Sequence, residues 1–366
     1  MPPVQGTTWP LEPHTKAKHA ILSEYLKAWF PILGKYNGKV VYIDGFAGPG
    51  CYASGEPGSP LLALSIAKDA HLSGKILFLF TEEDTKRVKN LKNEIEKISW
   101  PETFDILPPE ARCFADKLSE ILSDLKENNL RPAPIFAFID PFGIKDVPFA
   151  LIHELLSYER CEVFINFMVE SANRWIRHPK ADVRCHVHTL LGTDMTDEII
   201  NAEDRIKALR DLYEAQLKTA AKFVLSFEMR NKKDRTQYYL FFASNNRMGH
   251  IKMKESMWKI DEKGDFSFSA ATYKNQSLFK DFDLNEKIRS LQSDIFDHFK
   301  GQSNVSCLSI LSYVEENTIF IEKHMKEALR RGEDEAKIIV RETKSDGKKR
   351  RRGTFPNNVL IDFKGE

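Results

Sequence analysis

The sequence predicts an α/β protein built on a doubly wound, mostly parallel sheet, with a smaller helical module at its C-terminal end. Three observations predict this. Short apolar runs alternate with amphipathic stretches through the first half of the chain, a glycine-rich turn follows the first run, and from about Asn285 the order changes to three helices and two short strands. The length of 366 residues suits two domains, and 42% hydrophobic with 29% charged residues excludes wholesale disorder and fibrous repeats. The first domain is expected over residues 1–275 with a helical insert at about 171–222, the second over 285–366, and a linker near 270–284.

The first element is an amphipathic helix from Thr15 to about Phe30, with Ala20, Ile21, Tyr25, Leu26 and Trp29 at helical spacing and Pro31 as its expected end. Lys39 to Asp44 is a short apolar strand that runs into the turn GFAGPG, residues 45–50, and then a helix from about Ser59 to Asp69. The pattern recurs as strand Lys75 to Phe80 with helix Thr85 to Ile98, strand Ile135 to Ile139 with helix Pro148 to Tyr158, and strand Val163 to Phe167. Phe104 to Leu107 is a weaker strand candidate. Apolar strands of this kind are covered on both faces, as in a parallel sheet. Phe223 to Met229 and Tyr238 to Ser244 read as an antiparallel hairpin joined by the charged turn NKKDRT.

Helices at 285–299, 305–315 and 320–331, strand Lys337 to Arg341, the turn SDGKKRRRG and strand Val359 to Phe363 follow the order of a winged helix. Lys348, Lys349, Arg350, Arg351 and Arg352 at its tip suit phosphate contact, or an ordinary solvated loop. With 54 basic and 53 acidic residues the net charge is +1, so any nucleic-acid contact must come from such a local patch. Five scattered cysteines without CxxC spacing predict reduced thiols and neither a disulfide framework nor a zinc ribbon. Cys185, His186 and His188 lack a fourth ligand nearby, and no metal is expected. No apolar run is long enough to cross a bilayer and the start lacks a signal-peptide core, so no membrane contact and a cytoplasmic location are expected.

The most specific signal is the segment Asp44-Gly45-Phe46-Ala47-Gly48-Pro49-Gly50 at the end of a first strand. Glycines there let backbone N–H groups approach a ligand closely, with an acid beside them. The spacing is neither GxGxxG nor GxxxxGK[ST], which argues against a nicotinamide oxidoreductase and a phosphate loop. Glu82, at the tip of the second strand, suits both hydroxyls of a ribose, whereas Glu83 and Asp84 suit a helix start. Asp116 suits either an adenine amino hydrogen or a helix cap. Asp140-Pro141-Phe142-Gly143 ends a later strand: its carboxylate and backbone carbonyl can accept N–H bonds from a planar amine while the ring stacks. Arg174, Trp175 and Arg177, past the next strand, suit stacking and phosphate contact, or packing of the insert.

DGFAGPG resembles the first motif of class I S-adenosylmethionine-dependent methyltransferases. DPFG resembles the fourth motif of those acting on exocyclic amines, especially the guanine-N2 type, and departs from DPPY, whose aromatic stands fourth where this chain has Gly143. HTKAKHAILSEYLKAWFPIL, YIDGFAGPGCYASGEPGSPL, FIDPFG, YYLFFASNNRMGHIKMKESMWK and RRGTFPNNVLIDF together resemble the three-Cys-motif partner protein family (TcmP). The resemblance implies a class I methyltransferase-like, Rossmann-like domain with S-adenosylmethionine as cofactor. It also implies partnership with a radical-enzyme-like protein that carries the three cysteines. Lys18, with His14 and Thr15 before the first strand, then suits the cofactor's methionine carboxylate, or an exposed helix position. Two functions follow: transfer of a methyl group to a nucleic-acid base amine, or a non-catalytic module that binds nucleotide or nucleic acid and docks the partner.

Overall fold

The computed structural model describes residues 6–261, 263–271, 280–342 and 347–365, without the side chains of 280–283. The chain divides into two compact units, Met1–Ser256 with Ser267–Lys274, and Met257–Phe266 with Asn275–Glu366. The expected linker falls partly on 272–279, outside the described residues.

In the first unit the elements are α1 (Pro13–Tyr36), β1 (Lys39–Asp44), α2 (Ser59–Asp69), β2 (Lys75–Glu82), α3 (Thr85–Glu96), β3 (Phe104–Ile106), β4 (Glu110–Ala111), α4 (Phe114–Glu127), β5 (Ile135–Ile139), α5 (Phe149–Leu156) and β6 (Cys161–Phe167). Four helices follow, α6 (Val169–Trp175), α7 (Ala181–Leu191), α8 (Asp197–Asn201) and α9 (Arg205–Ala220). Then come β7 (Phe223–Arg230), β8 (Thr236–Ser244), α10 (Arg247–Ile260), which runs into the second unit, and β9 (Ser267–Ser269). The sheet order is β3-β2-β1-β5-β6-β8-β7-β9, with β4 paired to the end of β2. Strands β3 to β6 along this order are parallel, and β8 is antiparallel to both β6 and β7. The sheet is thus doubly wound and Rossmann-like, reversing direction of growth between β1 and β5. That is the point where open α/β sheets hold ligands, outside the carboxyl ends of the strands.

The alternation predicted from sequence is present, including the weak third strand. Helix α1 departs from it, because the helix continues through Pro31 to Tyr36. Proline removes one i→i−4 bond, but the final turns stay packed: Gly34 lies so close to Leu72 that a Cβ would stand 2.7 Å from its methyl carbon. Inside the sheet, α1 is tied to the strands by Tyr25, whose hydroxyl donates to Glu162 on β6 at 2.6 Å. Ser244 of β8 donates to the same carboxyl at 2.8 Å. The predicted hairpin is β7–β8, yet β9 pairs outside β7. Strands of two or three residues such as β4 and β9 carry no readable periodicity.

The second unit contains α11 (Lys280–Phe299), β10 (Val305–Ser306), α12 (Cys307–Asn317), α13 (Glu322–Asp334), β11 (Ile338–Val340) and β12 (Leu360–Phe363). The three strands pair antiparallel in the order β10-β12-β11. Ser306 caps α12 through the Ser309 N–H at 3.0 Å. Leu291, Ile295, Ile310, Val314, Met325, Leu329 and Ile361 form its interior. The turn predicted between β11 and β12 is described from Gly347 on; residues 343–346 lie outside the described residues. Among the described residues no helix is long and apolar enough to cross a membrane.

Candidate active site

The glycine-rich turn is pinned by three hydrogen bonds to the two strands that flank β1. Gly45 N–H donates to Phe138 O of β5 at 3.0 Å, Ala47 N–H donates to Thr81 O of β2 at 2.9 Å, and the Thr81 hydroxyl donates to Gly45 O at 2.9 Å. Gly48 and Gly50 have φ of +63° and +88°, the left-handed region that side chains resist. At Gly50 a Cβ would also stand 2.9 Å from Leu91. Glu82 buttresses the turn. One of its oxygens accepts the Gly48 N–H at 3.1 Å and the other the Asp84 N–H at 3.0 Å, with Arg87 at 3.5 Å. Each carboxylate oxygen retains a lone pair for a further donor. Beneath the turn Asp44 is fully buried, and burial pushes its carboxyl up to about 7 although the Phe46 N–H donates to it.

A cleft opens above this edge, lined by Phe46, Ala47, Gly48 and Gly50 on one side and by Asp140, Pro141 and Phe142 on the other. Lys18 and Asn166 are also among its lining residues. Lys18 forms an ion pair with Asp140 Oδ2, and the Asn166 Nδ2 donates to Asp140 Oδ1 at 2.7 Å. Lys18 is buried, its Nζ 5.5 Å from the Tyr238 ring centre. Two neighbours, His14 and His19, are each lowered to about 4, first by burial and then by the Lys18 charge, so both are neutral near pH 7.

The mouth of the cleft is aromatic. Phe142 is 43% exposed and meets Trp9 edge-on, with centroids 5.5 Å apart. The Arg87 guanidinium lies 5.1 Å from the Trp9 ring and 6.0 Å from Phe142, linking this wall to Glu82. An exposed ring beside a polar floor suits a flat ligand edge that carries hydrogen-bond donors.

Of the expected residues, Lys18, Phe46, Ala47, Gly48, Gly50, Asp140, Pro141 and Phe142 line the cleft, whereas Asp44, Gly45 and Glu82 stand behind the turn, outside the lining, with Glu82 bonded to Gly48. Asp116 is not among them. That residue lies exposed in the first turn of α4, and Glu83, Cys113 and Asp146 gather nearby with ligating atoms within 4.8 Å of one another. Arg174 and Arg177 also sit outside the cleft lining: Arg174 pairs with Glu170 at 3.5 Å and Arg177 donates to Ile200 O.

In the second unit, Lys348, Lys349, Arg351 and Arg352 are exposed, with Arg352 3.6 Å from Asp334. Arg350 is turned inward, its side chain 4% exposed and paired with Glu333 of α13. Its guanidinium is consumed by that carboxylate and by Thr354 O at 3.1 Å, which leaves no fork for phosphate.

Sequence reasoning missed Trp9, Arg87, Asn166 and Tyr238. For Asn166 there was a signal, a lone amide in the otherwise apolar run Val163 to Phe167, because a buried polar residue is more informative than an apolar one. Trp9 and Arg87 carry no periodic or motif signal.

The strand order, read without the short β4 and β9, is that of the Rossmann-like fold of class I methyltransferases. A family described as GMT-like wHTH domain matches residues 267–345, within which α11, α12 and α13 lie. No curated protein matches the chain. Among solved structures the chain is similar to an O-methyltransferase from Bacillus cereus in complex with SAH, at 14% identity and a TM-score of 0.33 over 61% of this chain and 80% of that one. It is similar to the METTL16 MTase domain at 14% identity and a TM-score of 0.31, over 60% of this chain and 66% of that one. It is also similar to geranyl diphosphate methyltransferase in complex with GPP and sinefungin, at 11% identity and a TM-score of 0.25, over 60% and 77% of the two chains. These likenesses are distant, and the fold assignment rests on the strand order itself.

Proposed function

We propose that the first unit is an S-adenosylmethionine-dependent methyltransferase acting on an exocyclic amine of a nucleic-acid base. In this reading the second unit supplies nucleic-acid affinity, and a three-Cys-motif protein is the partner. The observation that carries it is the convergence at one sheet edge of a strained glycine turn, the strand-tip acid Glu82 and Asp140-Pro141-Phe142 under an aromatic mouth. The chain fits the cofactor on its own chemistry. Glu82 has lone pairs for two ribose hydroxyls, Gly48 and Gly50 hold the left-handed backbone that shapes the turn, and Lys18 offers a cation for a carboxylate.

S-adenosylmethionine, held by the glycine turn, Glu82 and Lys18, would supply a methyl group activated by its sulfonium, with the thioether as leaving group, and the methylated amine would shed its extra proton to bulk solvent on release. The protein's part is orientation and exclusion of water. Phe142 stacks the base, and the Asp140 backbone carbonyl accepts an N–H, which turns the nitrogen lone pair toward the methyl. The Asp140 carboxylate holds Lys18 and Asn166 in place.

The test is titration of the purified protein with S-adenosylhomocysteine, wild type beside Glu82→Gln. Micromolar binding weakened about tenfold or more in the variant supports the reading, since a charged acceptor to two hydroxyls contributes about 1.5–3 kcal/mol. Absence of binding at millimolar ligand overturns it.

A second reading is a non-catalytic module that docks the three-Cys-motif partner and binds nucleotide or nucleic acid. The Lys18–Asp140 ion pair favours it, because both Asp140 oxygens are already engaged. Cofactor binding without transfer of a labelled methyl to DNA or RNA, with the partner present, would select this reading.

A further inference from the structure

Asn166 stands at the C-terminal end of β6, in the cleft, 5% exposed, with its Oδ1 buried and without a hydrogen-bond partner among the described residues. The orientation of the amide is dictated by chemistry. Its other end meets Asp140 Oδ1 at 2.7 Å, and a carboxylate held by Lys18 only accepts, so the NH2 must face Asp140 and the oxygen must face away. A buried acceptor without a donor is destabilising, and native structures retain few of them. Such an atom in a ligand cleft is poised for a donor on the ligand.

The side of the sheet identifies which ligand. The glycine turn and Glu82 belong to β1 and β2, whereas Asn166 is on β6, on the far side of β5 and Asp140. The same end of the sheet carries Tyr238 at the start of β8, next to β6. Each Asp140 carboxylate oxygen already accepts one donor, Lys18 or Asn166, whereas the Asn166 oxygen accepts none among the described residues.

We propose that Asn166 Oδ1 is the substrate-selecting acceptor: it takes an N–H of the exocyclic amine, so that bases bearing an amino group are bound in preference to those bearing an oxo group or hydrogen at the same position. The proposal rests on the methyltransferase reading above and assigns the amine selectivity of that site to a residue outside the DPFG motif. Asp140 and Lys18 are then positioning residues, which lock the amide so that its oxygen, and not its NH2, meets the substrate. An oxo substituent would face this oxygen lone pair to lone pair, which adds repulsion to the missing bond.

The experiment uses the full chain saturated with S-adenosylhomocysteine and titrated with the pairs guanosine and inosine, adenosine and inosine, and cytidine and uridine. In the wild type one amino nucleoside is expected to bind about tenfold tighter than its counterpart, the worth of one buried hydrogen bond. In Asn166→Leu that ratio collapses to within about twofold while S-adenosylhomocysteine affinity is retained. If the leucine variant does not fold, Asn166→Thr serves, because its hydroxyl can still donate toward Asp140 while the amide oxygen is gone. A ratio that survives in the variant overturns the assignment, as does a wild type that binds cofactor product without discriminating any pair. A variant that loses S-adenosylhomocysteine instead, with the ratio intact, moves Asn166 to the cofactor and also overturns it. Failure of the wild type to bind S-adenosylhomocysteine refutes the methyltransferase reading beneath it.

Discussion

Lys18 and Asp140, 122 residues apart in the chain, meet as a partly buried ion pair in the cleft. The pair joins the N-terminal helix to the tip of the central strand β5, and Asn166 completes it from β6. Removing one member leaves a desolvated charge without its partner, whereas removing both leaves only a neutral contact. Lys18→Met is therefore expected to cost about 3 kcal/mol, with Lys18→Met/Asp140→Asn recovering much of it. Urea denaturation of the four proteins in the cycle measures the coupling, and strict additivity would show that the pair contributes nothing.

Asp44 makes stability fall as pH rises. Its folded-state value is raised by burial to about 7 from 3.8, so the stabilisation is complete below about pH 4 and is lost as pH rises through 7. Asp44→Asn removes the titration. The variant should gain on the wild type between pH 5 and pH 8, by about 2.5 kcal/mol, as read by chemical denaturation at the two pH values.

His14 and His19 act in the opposite direction. Both are lowered to about 4, so their contribution is present above 6.5 and is lost as pH falls through 4. His19→Gln should flatten the acid limb of a stability profile recorded from pH 7 to pH 4, by about 3 kcal/mol across the window. An unaltered acid limb would show that His19 protonates as easily folded as unfolded.

The basic turn of the second unit should divide into two kinds of residue. Arg350→Ala is expected to lower the melting temperature of that unit, since it strips a buried carboxylate, Glu333, of its partner. Lys349→Ala and Arg351→Ala, at exposed positions, should leave the melting temperature unchanged. If the turn contacts phosphates, each of these two lowers the salt dependence of DNA or RNA binding by about one ion. Equal melting temperatures for all three variants would contradict the inward placement of Arg350.

The strands β1, β2, β5 and β6, the helices between them and the three helices and last two strands of the second unit were legible in the sequence, unlike the two-residue β10, which falls where a helix start was expected. Each is a continuous apolar run or a helical repeat, a signal carried by neighbouring residues. The same holds for the glycine turn and for Asp140 at a strand end, because the chemistry of a turn is local. Pro31 was read as a helix end by a local rule that tertiary packing overrides, with Gly34 against Leu72 holding the last turns in place.

What only the tertiary structure decided is which of these residues meet. Asp116 suits an adenine contact in sequence and lies exposed on α4, and Arg350 belongs to a run of five cations yet faces Glu333. Asn166 is a lone amide in an apolar run, but its oxygen is left unmet only because Asp140 takes the NH2 end. The sequence by itself determined the alternation of elements and the acid-tipped strands, since backbone preference and hydrophobic period are set within a few residues. The pairing of Lys18 with Asp140, the orphaned Asn166 oxygen and the raised Asp44 depend on burial and on contacts between distant strands, and those exist only once the sheet has closed over them.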